Sequence, residues 1–168
     1  VYLVCLIDVY SRRIMGWNIS VFLDTNSCEQ ALDAALPDGK PEIVNSDQGC
    51  QFTSESWCNL LKNHNIKISM DGKGRWADNV YVERLWRTIK YELVYLHRFE
   101  TVTEARHAIA AYINFYNIQR PHQSLGYKVP DAVYKEFEHV TDIDKEIESI
   151  TPFLGSNYNS QILCEKLS

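Results

Sequence analysis

The order of apolar segments along the chain constrains its fold more than any other feature. The run at residues 1–7, VYLVCLI, is continuously apolar, which is typical of a strand covered on both faces. A second run at 14–19 follows a polar turn and predicts an antiparallel partner. Shorter apolar runs predict strands at 41–46 and 66–70. We therefore expect four strands.

Segments with a helical period separate and follow these strands. Asn26 and Ser27 are the predicted cap of a first helix, and a second helix is predicted from about residue 54 to 64. A third runs from about residue 78 to 96, with a clear apolar stripe. A fourth begins at Thr101, where the sequence TVTE resembles a capping box.

This order predicts an α/β fold in which helices flank a mixed sheet. The predicted helices that follow strands 41–46 and 66–70 imply crossover connections, and such connections pair strands in parallel. Ligands of such open sheets bind beyond the carboxyl ends of the strands. Asp47 lies at such an end, so we consider it a candidate site residue.

The bulk properties exclude several classes of protein. The longest apolar runs are too short to span a bilayer. We expect no signal peptide, because no positively charged segment precedes an apolar one. The five cysteines lack metal-binding spacing and are odd in number, which is typical of reduced thiols. We expect a cytoplasmic protein with no membrane partner.

The net charge of −5 does not argue against a nucleic-acid partner, because the charge is unevenly distributed. Residues 138–168 contain six acidic residues and two lysines, so the first 137 residues are nearly neutral. A neutral domain can still present a basic face. We expect one domain at 1–137 and a poorly ordered acidic tail at 138–168.

Two carboxylates are candidates for a catalytic site. Asp47 stands in NSDQGCQFT, where a simple turn role is the alternative. Glu83 shares a helical stripe with Arg87 and Lys90, for which a solvated ion pair is the alternative. Two or three carboxylates can hold a pair of Mg²⁺ ions for phosphodiester chemistry, and cations along the same helix can contact a nucleic-acid backbone.

Four spaced motifs resemble the core of the DDE integrases, and most closely the IS3-type insertion-sequence transposases. They are IDVYSRRIMGW from residue 7, NSDQGCQFT from residue 45, KGRWADNVYVE from residue 73, and a closing block with YN, RPH, LG and P between residues 116 and 130. The 35 residues between Asp47 and Glu83 match the D(35)E spacing of that family. The resemblance covers about residues 1–137 and implies a ribonuclease H-like fold.

The resemblance also implies a site and partners. Asp47 and Glu83 are expected to bind Mg²⁺ or Mn²⁺ and to be catalytic, and Arg87 and Lys90 to contact DNA. Lys73 and Arg75, in the basic loop before that helix, are expected to contact DNA as well. The expected function is metal-dependent DNA cleavage and strand transfer in transposition. Transposon ends and target DNA are the expected partners, and the resemblance leaves a homo-oligomer open.

The first catalytic aspartate of the family precedes the strand that opens this sequence, so we expect the chain as given to be inactive. Asp8 is interpreted as structural or as supporting the site, and His122 as a packing or capping residue. Two alternatives stay open. One is an inactive relic that keeps only nucleic-acid binding or self-association, and the other is a different ribonuclease H-like nuclease.

Overall fold

A computed structural model describes residues 1–70, 80–136 and 139, and the backbone of residues 161–167. Five strands are described, and all belong to one sheet. They are β1 (Tyr2–Asp8), β2 (Ile14–Ser20), β3 (Ile43–Ser46), β4 (Lys67–Met70) and β5 (Gln161–Leu167).

The sheet is mixed, as the sequence predicts. Its strand order is β2-β1-β5-β3-β4. β1 pairs with β2 antiparallel, and β3 pairs with β4 in parallel, which confirms both predicted pairings. The register of β1 against β2 shifts between Leu6 and Ile7, as at a β-bulge.

The central strand comes from the carboxyl-terminal part of the sequence. β5 pairs antiparallel with β1 and parallel with β3, so it joins the two halves of the sheet. Cys164 lies opposite Ser46 of β3 and next to Glu165, which lies opposite Cys5 of β1. The division of the chain at residue 137 stays a prediction.

Four long helices accompany the sheet, with short 3₁₀ turns after several of them. They are α1 (Thr25–Ala35), α2 (Glu55–Asn63), α3 (Val80–Glu92) and α4 (Val102–Ile118), and residues 130–136 are also helical. The third helix is shorter than predicted, because Leu93 leaves the helical conformation and a 3₁₀ turn follows it. No helix in these described ranges is long and apolar enough to cross a membrane.

Side-chain caps fix the starts of three helices. Ser54 Oγ accepts from the N–H of Trp57 at 3.3 Å, and Thr101 Oγ1 accepts from the N–H of Glu104 at 3.1 Å. The predicted cap of the first helix is wrong. Asp24 is the N-cap, and its Oδ1 accepts from the N–H of Ser27 at 3.0 Å, so the helix begins earlier than the Asn-Ser pair suggested.

Each face of the sheet carries its own core. Leu3, Cys5 and Ile7 of β1 face the buried sides of α3 and α4, whereas Val4 and Leu6 face α1 and α2. This alternation follows from the period of two along a strand. On the second face Gly16 lets α1 approach β2, since a Cβ there would lie 2.1 Å from the carbonyl oxygen of Ala31.

Candidate active site

Asp47 lies immediately after β3, at the carboxyl end of a parallel strand. Its side chain is half-buried, and its Oδ1 accepts from the backbone N–H of Gly49 at 2.8 Å. This is an Asx turn, so the turn role of Asp47 is present in the structure, and its role in a metal site stays a prediction. Oδ2 takes part in none of the hydrogen bonds described for the chain, and it remains available for a ligand.

Gly49 keeps this turn tight. A Cβ at that position would lie 2.8 Å from Asp47 Oδ1 and 2.5 Å from Gln51 Nε2. The Phe52 and Thr53 backbone N–H groups then donate to the carbonyl of Gly49 at 2.9 and 3.1 Å. The motif therefore has a glycine at position 49 for a steric reason.

Glu83 stands in the first turn of α3, where a carboxylate is favoured by the helix dipole. Its side chain is exposed, as is that of Arg87 one turn later. The ion pairs described for the chain do not include one between these two residues, so the ion-pair alternative gains no support. Lys73 and Arg75 lie outside the described residues.

Arg87 and Lys90 face different hollows of the surface. Arg87 lines a cavity beside the end of α4, and Lys90 lines a larger apolar one near the start of β1. Arg87 also lies over the ring of Tyr91, with 5.9 Å from Cζ to the centroid. Arg87 and Lys90 therefore border different cavities, and the contact of these two residues with DNA stays a prediction.

Asp8 has a structural role at the turn between β1 and β2. It is 6% exposed, and its Oδ2 accepts from the N–H and the hydroxyl of Ser11 at 2.7 and 2.6 Å. Its backbone pairs with Arg12 and Arg13 across the same turn. These bonds account for its burial, in agreement with the structural interpretation of this residue.

A metal site at Asp47 and Glu83 fits the chemistry of the donors. Carboxylate oxygens are the ligands that Mg²⁺ and Mn²⁺ prefer. No group of three or more His, Cys, Asp or Glu side chains within the described ranges could hold an ion together. Asp47 and Glu83 as ligands of one ion therefore stay a prediction.

The closing motif docks α4 onto the sheet and onto α3. Arg120 makes a two-pronged contact with Glu92, with Nε to Oε2 at 2.8 Å and Nη2 to Oε1 at 2.5 Å. The hydrogen bond from Arg120 lowers the pKa of Glu92. His122 packs edge-to-face on Tyr116 with 4.7 Å between ring centroids, which is consistent with the predicted packing role.

Sequence reasoning missed a group of basic residues next to α3. Arg12, Arg84, Arg87, Arg120 and His122 line one cavity of about 210 Å³. They come from three parts of the sequence, so only the fold brings them together. The single clue in the sequence was the presence of arginines in the motif IDVYSRRIMGW and in the closing block.

Two models of the integrase core domain family match the sequence, one over residues 1–75 and the other over residues 64–130. The transposase for insertion sequence element IS904 of Lactococcus lactis is 37% identical over 141 residues, which cover 82% of this chain and 54% of that protein. The IS150 transposase InsK of Escherichia coli is 35% identical over 122 residues, covering 71% and 43%. The chain spans about half the length of these curated relatives.

Solved structures give the same fold. The catalytic core domain of BIV integrase superposes with a TM-score of 0.65 at 23% identity, covering 80% of this chain and 86% of that one. The HTLV-2 integrase catalytic core in complex with magnesium gives 0.55 at 16% identity, covering 79% and 83%. These cores confirm the predicted ribonuclease H-like fold. The two family matches and the transposase relatives show that the chain belongs to the integrase core family and is similar to the IS3-type transposases over most of its length.

Proposed function

We propose that this chain is the part of a transposase that performs metal-dependent DNA cleavage and strand transfer during transposition. The observation that carries the proposal is the placement of Asp47. It follows a parallel strand, its Oδ1 is fixed by Gly49, and its Oδ2 is available. A turn role alone does not explain why Glu83 follows Asp47 at the D(35)E spacing of the family.

In this proposal Asp47 and Glu83 hold Mg²⁺ or Mn²⁺. The metal would activate a water or a DNA hydroxyl and stabilise the leaving oxygen at the phosphodiester. The chain's own contribution is to hold the two carboxylates. The Asx turn orients Asp47, and the first turn of α3 positions Glu83 next to the positive end of the helix dipole.

DNA is the proposed substrate, in the form of transposon ends and a target. Arg87 and Lys90 would contact phosphates along α3, and Lys73 and Arg75 are proposed to add contacts from the preceding segment. These contacts position a strand but carry no sequence information. We also propose a cytoplasmic location and assembly of several copies on the DNA.

Metal binding tests the site without relying on activity. Calorimetric titration with Mn²⁺ should show binding that Asp47→Asn and Glu83→Gln each weaken at least tenfold, because each change removes a charged oxygen ligand. Asp33→Asn, on the exposed side of α1, is the matched control and should bind as wild type. Equal affinity in all four proteins would overturn the site assignment.

DNA cleavage tests the activity, in the full-length transposase that contains this core. Metal-dependent nicking and joining of a DNA substrate should disappear in Glu83→Gln while the thermal stability stays unchanged. A wild-type protein that binds DNA but does not bind the metal would favour the inactive relic. Joining that survives Glu83→Gln would refute the proposed role of Glu83.

A further inference from the structure

A cavity of about 210 Å³ lies where α3, the end of α4 and the β1–β2 turn meet. Four arginines and one histidine are among its lining side chains, and the described lining contains no carboxylate. Like charges that line one cavity repel one another, and an anion between them relieves the repulsion. The cavity is therefore a concentrated positive site, and it has room for a small oxyanion.

Arg12 carries the clearest sign of a ligand-binding site. Its backbone is left-handed, with φ of 65°, and its guanidinium lies 3.5 Å from the centroid of the Tyr81 ring. This stacking holds the guanidinium against α3. Its Nη1 is buried and has no hydrogen-bond partner in the described part of the protein. A buried donor without a partner is costly, so such a group points to a ligand.

The other arginines differ in how far they are neutralised. Arg120 is paired with Glu92 through two hydrogen bonds, so only part of its charge acts on the cavity. Arg84 and Arg87 are exposed and take part in none of the ion pairs that the structure describes. Their charges are therefore available to a ligand in the cavity.

His122 also lines the cavity and lies near its positive charges. Its Nε2 is buried without a hydrogen-bond partner among the described residues. Burial, followed by the positive charge of Arg120, lowers the pKa of His122 to about 4. The ring is therefore neutral at pH 7, and the positive charge of the cavity comes from the arginines.

We propose that this cavity binds a phosphate group, with the guanidinium groups of Arg12, Arg84 and Arg87 as donors. A guanidinium presents its N–H groups in a planar fork that matches phosphate oxygens, and charge-assisted bonds of this kind are short and strong. The hydroxyl groups of Thr88 and Ser124 also line the cavity. The phosphate can be free or part of a nucleic-acid strand, and the site does not depend on the proposed catalytic function.

Titration with inorganic phosphate tests the site. Calorimetry in chloride buffer of constant ionic strength should show saturable binding to the wild type. Arg84→Met should weaken the binding roughly tenfold to a hundredfold, because one charge-assisted contact is lost. Arg84→Lys keeps the positive charge but lacks the planar fork, so its phosphate affinity should lie between those of the wild type and Arg84→Met. Arg98→Met removes an exposed arginine outside the cavity and should bind as wild type.

Short oligonucleotides then distinguish the sources of the phosphate. If the site receives a strand terminus, a 5′-phosphorylated oligonucleotide should compete with inorganic phosphate and its unphosphorylated form should not. Competition by both forms would identify a backbone phosphate, and competition by neither would identify a free anion. Absence of saturable phosphate binding to the wild type, or equal weakening by Arg98→Met and Arg84→Met, would overturn the proposal.

Discussion

The side-chain amide of Asn117 on α4 exchanges two hydrogen bonds with the backbone of Ile14 on β2, each 2.9 Å long. Asn117 Oδ1 accepts from the N–H of Ile14, and Nδ2 donates to its carbonyl. β2 is an edge strand of the described sheet, so no described strand pairs with its outer backbone groups. The asparagine of the closing motif acts as a short peptide surrogate that joins α4 to the sheet.

Replacing Asn117 by alanine should lower the free energy of unfolding by about 2–4 kcal/mol. The change leaves two backbone groups of Ile14 unpaired in a buried place, and each costs roughly 1–3 kcal/mol. Urea unfolding followed by circular dichroism measures the loss. Asn63→Ala, at the exposed end of α2, should change the free energy by less than about 0.5 kcal/mol. A similar loss in both variants would contradict this role.

Gly49→Ala should weaken Mn²⁺ binding about tenfold or more. The added Cβ would press on Asp47 Oδ1 and on the side chain of Gln51, so the Asx turn has to rearrange. Calorimetric titration measures the affinity, and thermal unfolding measures the accompanying loss of stability.

Gly126→Ala is the control for that substitution. Gly126 has a φ of 62°, and a Cβ there would meet no atom within 4 Å. The variant should therefore lose about 1 kcal/mol through backbone strain alone and keep its metal affinity. If Gly49→Ala keeps its metal affinity while Gly126→Ala loses affinity, the turn at Gly49 does not position Asp47.

Arg13→Met should destabilise the protein by about 1–3 kcal/mol, because Arg13 links three parts of the chain. Its Nη2 lies 2.6 Å from Asp38 Oδ2, its Nε lies 3.1 Å from Asp131 Oδ1, and its side chain is 16% exposed. Thermal unfolding at low and high salt measures the effect, which should persist at high salt.

The exposed pair between Lys128 and Glu136 is the comparison for Arg13. It has an N–O distance of 2.7 Å, and its side chains are 53% and 60% exposed. Lys128→Met should therefore cost no more than about 0.5 kcal/mol, because solvent screens the charges. Equal losses for the two variants would show that burial does not strengthen the Arg13 contacts.

The sequence was sufficient for most elements of the fold, because their patterns are local. Residues 1–7 are apolar on both faces of a strand, and the structure buries Leu3 and Val4 on opposite sides. The stripe of α3 was equally clear, since Val82 and Ile89 are both fully buried. Position 47 was identifiable because it follows a strand directly.

Two features depended on contacts between distant parts of the chain. β5 contains a charged pair at 165–166 within a short apolar run, and its place between β1 and β3 is set by pairing rather than by its own pattern. The cavity of arginines needs the fold to bring Arg12 and Arg120 together. Periodicity cannot reveal either feature, since both arise from long-range packing.

His122 should make the stability of the protein depend on pH between about 4 and 6.5. Its folded-state pKa is lowered to about 4 by burial and by Arg120, whereas the unfolded chain has an ordinary value near 6.5. Between these values the unfolded state binds a proton that the folded state does not. The stabilisation is therefore fully present above pH 6.5 and is lost as the pH falls towards 4.

The measurement compares unfolding free energies at pH 4.5 and 7 in chloride buffer. His122→Phe keeps a ring against Tyr116 and removes the titration, so its loss at pH 4.5 should be smaller than that of the wild type. The difference should be on the order of 1 kcal/mol, since the side chain of His122 is only partly buried and solvent screens its charge. The comparison also cancels the acid-induced loss at Asp131, whose pKa is lowered by Lys135 and Arg13 rather than by His122. His107→Gln, exposed on α4, should follow the wild-type profile, and a profile unchanged in His122→Phe would show that His122 titrates normally.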